Sequence, residues 1–193
     1  MSKNVGKIFE ESIKKSIPNY AILIRLNDSP QAFKQSNITR FTPQTPFDYI
    51  AFDTNSRVLY CWELKSTKNK SISFEDIHSN KQEKKMVHRH QILGLKKYYG
   101  YPYVESGFLF NFRHFEDDKE NYFETTYYQS IEDFLEMTKK INKKSFDEIN
   151  LIQNNAKRIE GYKKRTRWYF DLDSFLKSKY DEYVDCKIKN MNE

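Results

Sequence analysis

The chain has 193 residues, 38% of them hydrophobic, and its 14 Tyr and 15 Phe supply enough apolar bulk for the core of one domain. A charged fraction of 31%, mixed in sign, argues against wholesale disorder, and 5 Gly and 5 Pro leave little room for linkers or repeats. Mean hydropathy is −0.88 and no apolar run approaches the roughly 20 residues that span a bilayer, whereas a net charge of +6 favours a polyanionic partner, most often nucleic acid.

Residues 3–17 read as an amphipathic helix, with Val5, Ile8, Phe9, Ile13 and Ile17 at helical spacing and Pro18 ending it. Residues 20–26 read as a short strand. Residues 27–45 are polar and without period, which predicts a loop. The β-forming run Pro46–Phe52, the turn at 53–56 and the strand Arg57–Ser66 predict a hairpin. Residues 68–80 read as irregular. Lys81–Tyr99 reads as one long helix with Met86, Val87, His90, Leu93 and Leu95 as inner positions. Gly100–Pro102 breaks it, and residues 104–113 form a strongly apolar strand. Residues 115–125 read as an acidic loop turned away from any polyanion, and Thr126–Gln129 as a short strand. Ser130 with Asp133, and Ser145 with Glu148, read as capping boxes opening helices. Arg167–Leu172 reads as an edge strand, with Asp173 capping a last helix.

This order predicts an α/β fold: a mixed central β-sheet flanked by helices, with a more helical C-terminal extension. A single domain is expected over 1–193, with a core of 4–113 and an extension of 114–193. Cys61 and Cys186 fit no metal spacing and suggest a reduced compartment. The start of the chain lacks the apolar core of a signal peptide, so a cytoplasmic location away from membranes is expected.

Side chains alternate along Tyr60–Lys65, so Glu63 and Lys65 project from the same face as Leu59 and Cys61, while Trp62 and Leu64 project from the other. A hairpin pairing can bring Asp48 near Glu63. Charged groups inside such apolar strands are costly to bury unless paired or metal-bound. Two carboxylates suit a hard cation such as Mg2+, which lowers the pKa of a bound water and shields a phosphate, and a nearby ammonium can position that water. The alternative for an isolated Glu-x-Lys is a surface ion pair on a half-exposed strand.

Pro46-Phe47-Asp48 followed by Glu63-Leu64-Lys65 resembles the signature of PD-(D/E)xK nucleases. The wider pattern is similar to the RecU-type Holliday-junction resolvases. It includes Gly6-Lys7-Ile8-Phe9-Glu10 on the first helix, the Lys/Thr-rich run Lys65–Lys70, Ser73-Phe74, His90-Gln91 and the apolar strand at 106–112. The resemblance covers roughly residues 4–113. Residues 27–45, a short extra stretch before His90 and the tail after 114 have no counterpart in it.

The resemblance implies a restriction-endonuclease-like core and Mg2+-dependent DNA cleavage, with Mn2+ able to substitute. By the same resemblance Asp48 and Glu63 would ligate the metal with the Leu64 carbonyl, and Lys65 would orient or activate water. Glu10 would reach the metal's water shell, and Gln91 would bond to substrate or to Lys65. It further implies a homodimer acting on a four-way DNA junction. Lys68, Lys70, Lys84, Lys85, Arg89 and His90 are the expected DNA contacts beside the site. The basic clusters at 139–144 and 163–167 read equally as DNA contacts or as solvated faces. Two alternatives stay open: a restriction- or repair-like nuclease cutting ordinary duplex, and a nucleic-acid-binding module without catalysis.

Overall fold

Period-two alternation in the aromatic and β-branched runs builds the centre of the fold, and the amphipathic runs cover it. The computed structural model describes residues 4–26, 45–79, 83–115 and 122–191, with side chains to 182. In chain order the elements are α1 (Val5–Ser16), β1 (Ala21–Arg25), β2 (Tyr49–Asp53), β3 (Val58–Thr67), β4 (Ile72–Ser73), α2 (Arg89–Tyr99), β5 (Val104–Phe115) and β6 (Tyr122–Ser130). They are followed by α3 (Ile131–Lys140), β7 (Ser145–Phe146), α4 (Glu148–Gln153), β8 (Lys157–Ile159), β9 (Gly161–Lys164), β10 (Arg167–Phe170) and α5 (Leu172–Met191).

The main sheet has six strands in the order β1-β2-β3-β5-β6-β8. Strands β3 and β5 are parallel and are joined through α2, as a parallel pair requires a crossover, and the other neighbours are antiparallel. The protein is therefore α/β with a mixed central sheet flanked by helices. The residues after 113 are woven into that sheet as β6 and β8.

Alternation sends Tyr60, Trp62 and Leu64 to one face, where α1 (Phe9, Ile13), β10 (Phe170) and α5 (Phe175, Leu176) close over them. Cys61, Phe108, Phe110 and Phe112 face the opposite layer of α2 (Ile92, Leu95), α3 (Phe134, Met137) and α4 (Leu151). The aromatic side chains are the largest of the fully buried groups, and each contributes on the order of 2–3 kcal/mol of apolar transfer on burial. Burial pushes the Cys61 thiol up to about 12, so it stays protonated and unreactive. Among the described residues no helix is long and apolar enough to cross a membrane.

Several local expectations are corrected by partners distant in sequence. The second helix starts at Arg89, not Lys81. Residues 80–82 lie outside the described residues, and the stretch before Arg89 is extended because Met86 and Val87 donate to the Ser73 carbonyl and Val87 bridges Phe74. Consequently His90 and Leu93 face solvent, while Ile92 and Leu95 are the inner positions. The segment expected to be irregular contains β4, paired with β7. Tyr122–Thr125 is strand, not acidic loop, since it pairs with Phe112–Phe115; the acidic residues 116–120 lie outside the described residues. Likewise the expected loop over 27–44 is not described.

Ser130 caps α3 through the Asp133 N–H, as its spacing predicts. Helix α4, however, is capped by Asp147 with Asn150, because Ser145 is committed to β7. Asp171 accepts the Ser174 N–H at the start of α5, and Asp173 instead pairs with Lys177 in the first turn. Arg167–Phe170 is a strand, but its partner is β9 in a separate two-stranded sheet.

Gly94 on α2 is set by a close approach. A Cβ there would meet the Pro46 carbonyl oxygen at 2.4 Å and Pro46 Cβ at 2.8 Å. Gly94→Ala is expected to destabilise the fold by about 1–3 kcal/mol, because backbone must move to admit the methyl group. Urea denaturation checks this, and an unchanged midpoint would show that the contact is soft.

Candidate active site

The site forms where β2 stops accompanying β3. Tyr49 pairs with Trp62, and the last bond between these segments is Asp48 N–H to the Trp62 carbonyl at 3.1 Å. Phe47 inserts into the α2 layer, edge-on to Tyr98 at 5.2 Å, which fixes the bend carrying Asp48. Beyond that point the edge of β3 is met by a side chain: Asp48 Oδ2 accepts the Leu64 N–H at 2.8 Å. Since N–H and C=O of one strand residue point to the same side, the Leu64 carbonyl also faces this fork beside Asp48.

Glu63 and Lys65 rise from β3 on the α2 face. Glu63 Oε1 lies 2.8 Å from Lys65 Nζ and accepts Gln91 Nε2 at 2.5 Å. The Glu63 side chain is 2% exposed and that of Lys65 15%. Burial pushes the Glu63 carboxyl up to about 7; the Lys65 ammonium opposes this and the Asp48 charge adds to it. Asp48, Glu63, Lys65 and Gln91 therefore converge on one point, with Gln91 bonded to Glu63 rather than, as the resemblance implies, to Lys65.

Gln91 is held from both ends. Its Oε1 accepts the His88 N–H at 2.9 Å as part of the capping box of α2. Glu75, which the sequence reading did not single out, secures this helix start. Its carboxylate accepts the Arg89 N–H at 2.7 Å and the Glu83 N–H at 3.2 Å, and lies 3.2 Å from His88 Nδ1. Burial alone would raise the Glu75 carboxyl, but these bonds outweigh it and hold it below the usual range. A carboxylate one residue beyond Ser73-Phe74 was the available signal, but nothing local tied it to a helix many residues later.

Glu10 sits on α1 facing the protein, as its helical stripe predicts. Its carboxylate accepts the Tyr49 hydroxyl at 3.2 Å and pairs with Arg25 at 3.1 Å. Burial raises the Tyr49 phenol well above its ordinary range, with Glu10 adding to the shift and Asp48 contributing less. Glu10 thus borders the site through Tyr49 and Arg25 and makes no direct bond to the four converging side chains.

The basic residues differ in freedom. Lys68 lies over the Phe115 ring at 5.1 Å, and Lys70 and Lys84 are exposed. Lys85 pairs with Glu83, and Arg89 Nε donates to the Ile77 carbonyl, so both are partly committed. His90 is exposed and stacks on His88.

Asp48, Glu63 and the Leu64 carbonyl form an all-oxygen donor set. It fits Mg2+, which binds one or two carboxylates and keeps several waters, better than Zn2+, which takes nitrogen and sulfur ligands. Among the described residues no group of three or more His, Cys, Asp or Glu side chains is placed to hold a metal ion, so most of such a cation's shell would be water.

Fold and site together define an α/β protein with an acid–lysine cluster at the fork of an antiparallel pair. No protein-family model matches the chain. It is 30% identical over 180 residues, 89% of its own length and 85% of the relative's, to the SPbeta prophage-derived uncharacterized protein YotM of Bacillus subtilis (strain 168). The chain belongs to the same family as that prophage-derived protein.

Proposed function

We propose that the protein is a Mg2+-dependent DNA endonuclease of the PD-(D/E)xK type, with a restriction-endonuclease-like core. The observation that carries this reading is the convergence of Asp48, Glu63, Lys65 and Gln91 at the β2–β3 fork. A purely structural Glu63–Lys65 pair would need neither a second carboxylate beside it nor a glutamine braced by a helix cap. Bound Mg2+ would supply charge to the scissile phosphate and acidity to a bound water. Asp48 and Glu63, with the Leu64 carbonyl, would hold such a cation. Lys65, turned from Glu63, would orient a water or meet the developing charge on phosphate. Gln91 holds Glu63 in one rotamer. Glu10 fixes Tyr49 and Arg25 at the border of the site.

The preferred substrate in this reading is a four-way junction, and the assembly a homodimer, because two symmetric incisions need two related active sites. Strand β1 supports the dimer. Among the described residues no strand pairs with its outer edge, and Ile22 and Ile24 are 53% and 52% exposed beside half-buried Ile50 and Phe52. Ile22→Glu with Ile24→Glu is expected to yield a monomer in sedimentation where the wild type is a dimer. A wild type that stays monomeric, free and on a junction, would turn the reading to a duplex-cutting nuclease. The enzymatic test is cleavage in Mg2+ of a four-way junction beside linear duplex and flap substrates. Cutting of none of them by a folded, Mg2+-loaded protein would overturn the proposal.

A further inference from the structure

Strands β9 and β10 form a hairpin whose connection is only Arg165–Thr166. One face packs inward: Phe170 meets Phe9 edge-on at 5.5 Å, and Trp168 lies 6.2 Å from Tyr122. The other face carries Lys164 directly opposite Arg167, and then Tyr162 stacked on Tyr169 at 5.8 Å with Tyr162 58% exposed. Like charges directly across a ladder destabilise a hairpin. Arg165 adopts a φ of 58°, a turn position that favours Gly or Asn. Among the described residues no carboxylate forms an ion pair with Lys163, Lys164, Arg165 or Arg167. Two choices unfavourable to a hairpin in isolation thus fall at its tip, with no carboxylate ion pair among the described residues to offset them, and a polyanion would relieve the charge repulsion.

The placement of the tip shows where such a polyanion would run. The hairpin lies along α1 with Phe170 bonded to Ser16 near one end, and Thr166 and Arg167 line a cleft of about 520 Å³ with Asn4 and Lys7 at the other. That end of α1 meets Arg113, whose guanidinium lies 3.5 Å from the Val5 carbonyl, toward the end of β5. It is the end toward which β3 carries Glu63 and Lys65, because β3 and β5 are parallel. A chain of contacts on the α1 face of the sheet, opposite the face from which Glu63 and Lys65 project, runs from the end of β3 to the hairpin. Lys68, three residues past Lys65, lies over Phe115 at 5.1 Å; Phe115 stacks on Tyr122 at 5.5 Å; Lys163 lies over Tyr122 at 5.1 Å. Lys65 is in register with Phe110, so Phe115 stands about 17 Å further along the strand and on the other face of the sheet.

We propose that the β9–β10 hairpin, continued to the end of β3 by the Lys68–Phe115–Tyr122–Lys163 ladder on the sheet face opposite Glu63 and Lys65, is a second nucleic-acid contact that grips the sugar-phosphate backbone away from the scissile phosphate. Lys164, Arg165 and Arg167 contact phosphates, and Tyr162, exposed and stacked on Tyr169, offers a flat surface for sugar or an unpaired base. Only the relation to a scissile phosphate rests on the nuclease reading; the contact itself does not.

The test is anisotropy of a labelled DNA duplex and four-way junction in EDTA, where no cutting occurs, across a salt series. Two variants of the full chain are compared with wild type: Lys164→Glu, and Lys164→Ala/Arg165→Ala/Arg167→Ala. The triple variant is expected to weaken binding about tenfold or more and to make the log–log salt dependence shallower by about 2 to 3, since each lost phosphate contact removes roughly 0.9. Lys164→Glu is expected to raise Tm, by pairing with Arg167, while weakening binding; a merely structural hairpin would show the rise without the loss. Unchanged affinity and slope in both variants would overturn the proposal, as would a wild type that binds neither DNA. A wild type that binds through the hairpin but does not cut in Mg2+ sustains this inference and sinks the nuclease reading alone.

Discussion

Asp48→Asn and Glu63→Gln are each expected to lower Mg2+-dependent cleavage at least about 10³-fold with the fold intact. A metal ion's charge stabilisation is worth several kcal/mol of barrier, and roughly 4 kcal/mol corresponds to that factor. Both substitutions remove one negative charge while keeping shape and one acceptor oxygen. The amide oxygen introduced by Asp48→Asn can still accept the Leu64 N–H, and the one introduced by Glu63→Gln can still accept from Lys65 and Gln91, so the bonds that shape the fork survive. Alanine at either position is expected to abolish cleavage as well, but it leaves the Leu64 N–H or the Lys65 ammonium without its partner. DNA binding without metal should persist or tighten, because a negative charge facing phosphate is gone. Rates from single-turnover cleavage and Kd values in EDTA separate the two effects. Wild-type cutting by both variants would remove Asp48 and Glu63 from the chemistry.

The metal-free protein is expected to lose thermal stability as pH rises from about 5 to about 7, and Mg2+ to restore it. Burial, opposed by Lys65 and assisted by Asp48, lifts the Glu63 carboxyl from 4.5 to about 7 in the folded state. Between those values the folded chain holds a proton that the unfolded chain has released. The stabilisation is complete below 4.5 and is lost as pH climbs through about 7. Glu124, raised by burial against the opposing charge of Arg113, acts with the same sign. Glu75 acts with the opposite sign, but its carboxyl titrates below the usual range and so leaves this window clear. A cation bound by Glu63 requires the ionised carboxylate, so stabilisation by Mg2+ should grow with pH across the same window. Scanning Tm against pH with and without Mg2+ tests this. Glu63→Gln should flatten the Glu63 part of the slope and weaken the Mg2+ response. A slope identical in wild type and variant would place the titration elsewhere.

What the sequence determined by itself is local. Alternation over Tyr60–Lys65 sends Trp62 and Leu64 to one layer and Glu63 and Lys65 to the other, because strand geometry leaves no third choice. The turn after Asp53, the stripe of α1 and the Ser130 cap likewise depend on neighbours within a few positions, and the fork of Asp48, Glu63 and Lys65 follows from a hairpin between adjacent strands. The tertiary structure decided what depends on partners far along the chain. Residues 83–88 carry a helical pattern, yet Ser73 and Glu75 take their backbone groups and shift the start of α2 to Arg89. Tyr122–Thr125 follows an acidic run, yet pairing with β5 makes it strand. Glu10 is legible as an inward-facing helix residue, but its partners Tyr49 and Arg25 come from two strands. Periodicity is written into consecutive residues, whereas the partner that satisfies a buried N–H or carboxylate is chosen only once distant segments meet, and satisfying those groups outweighs local propensity.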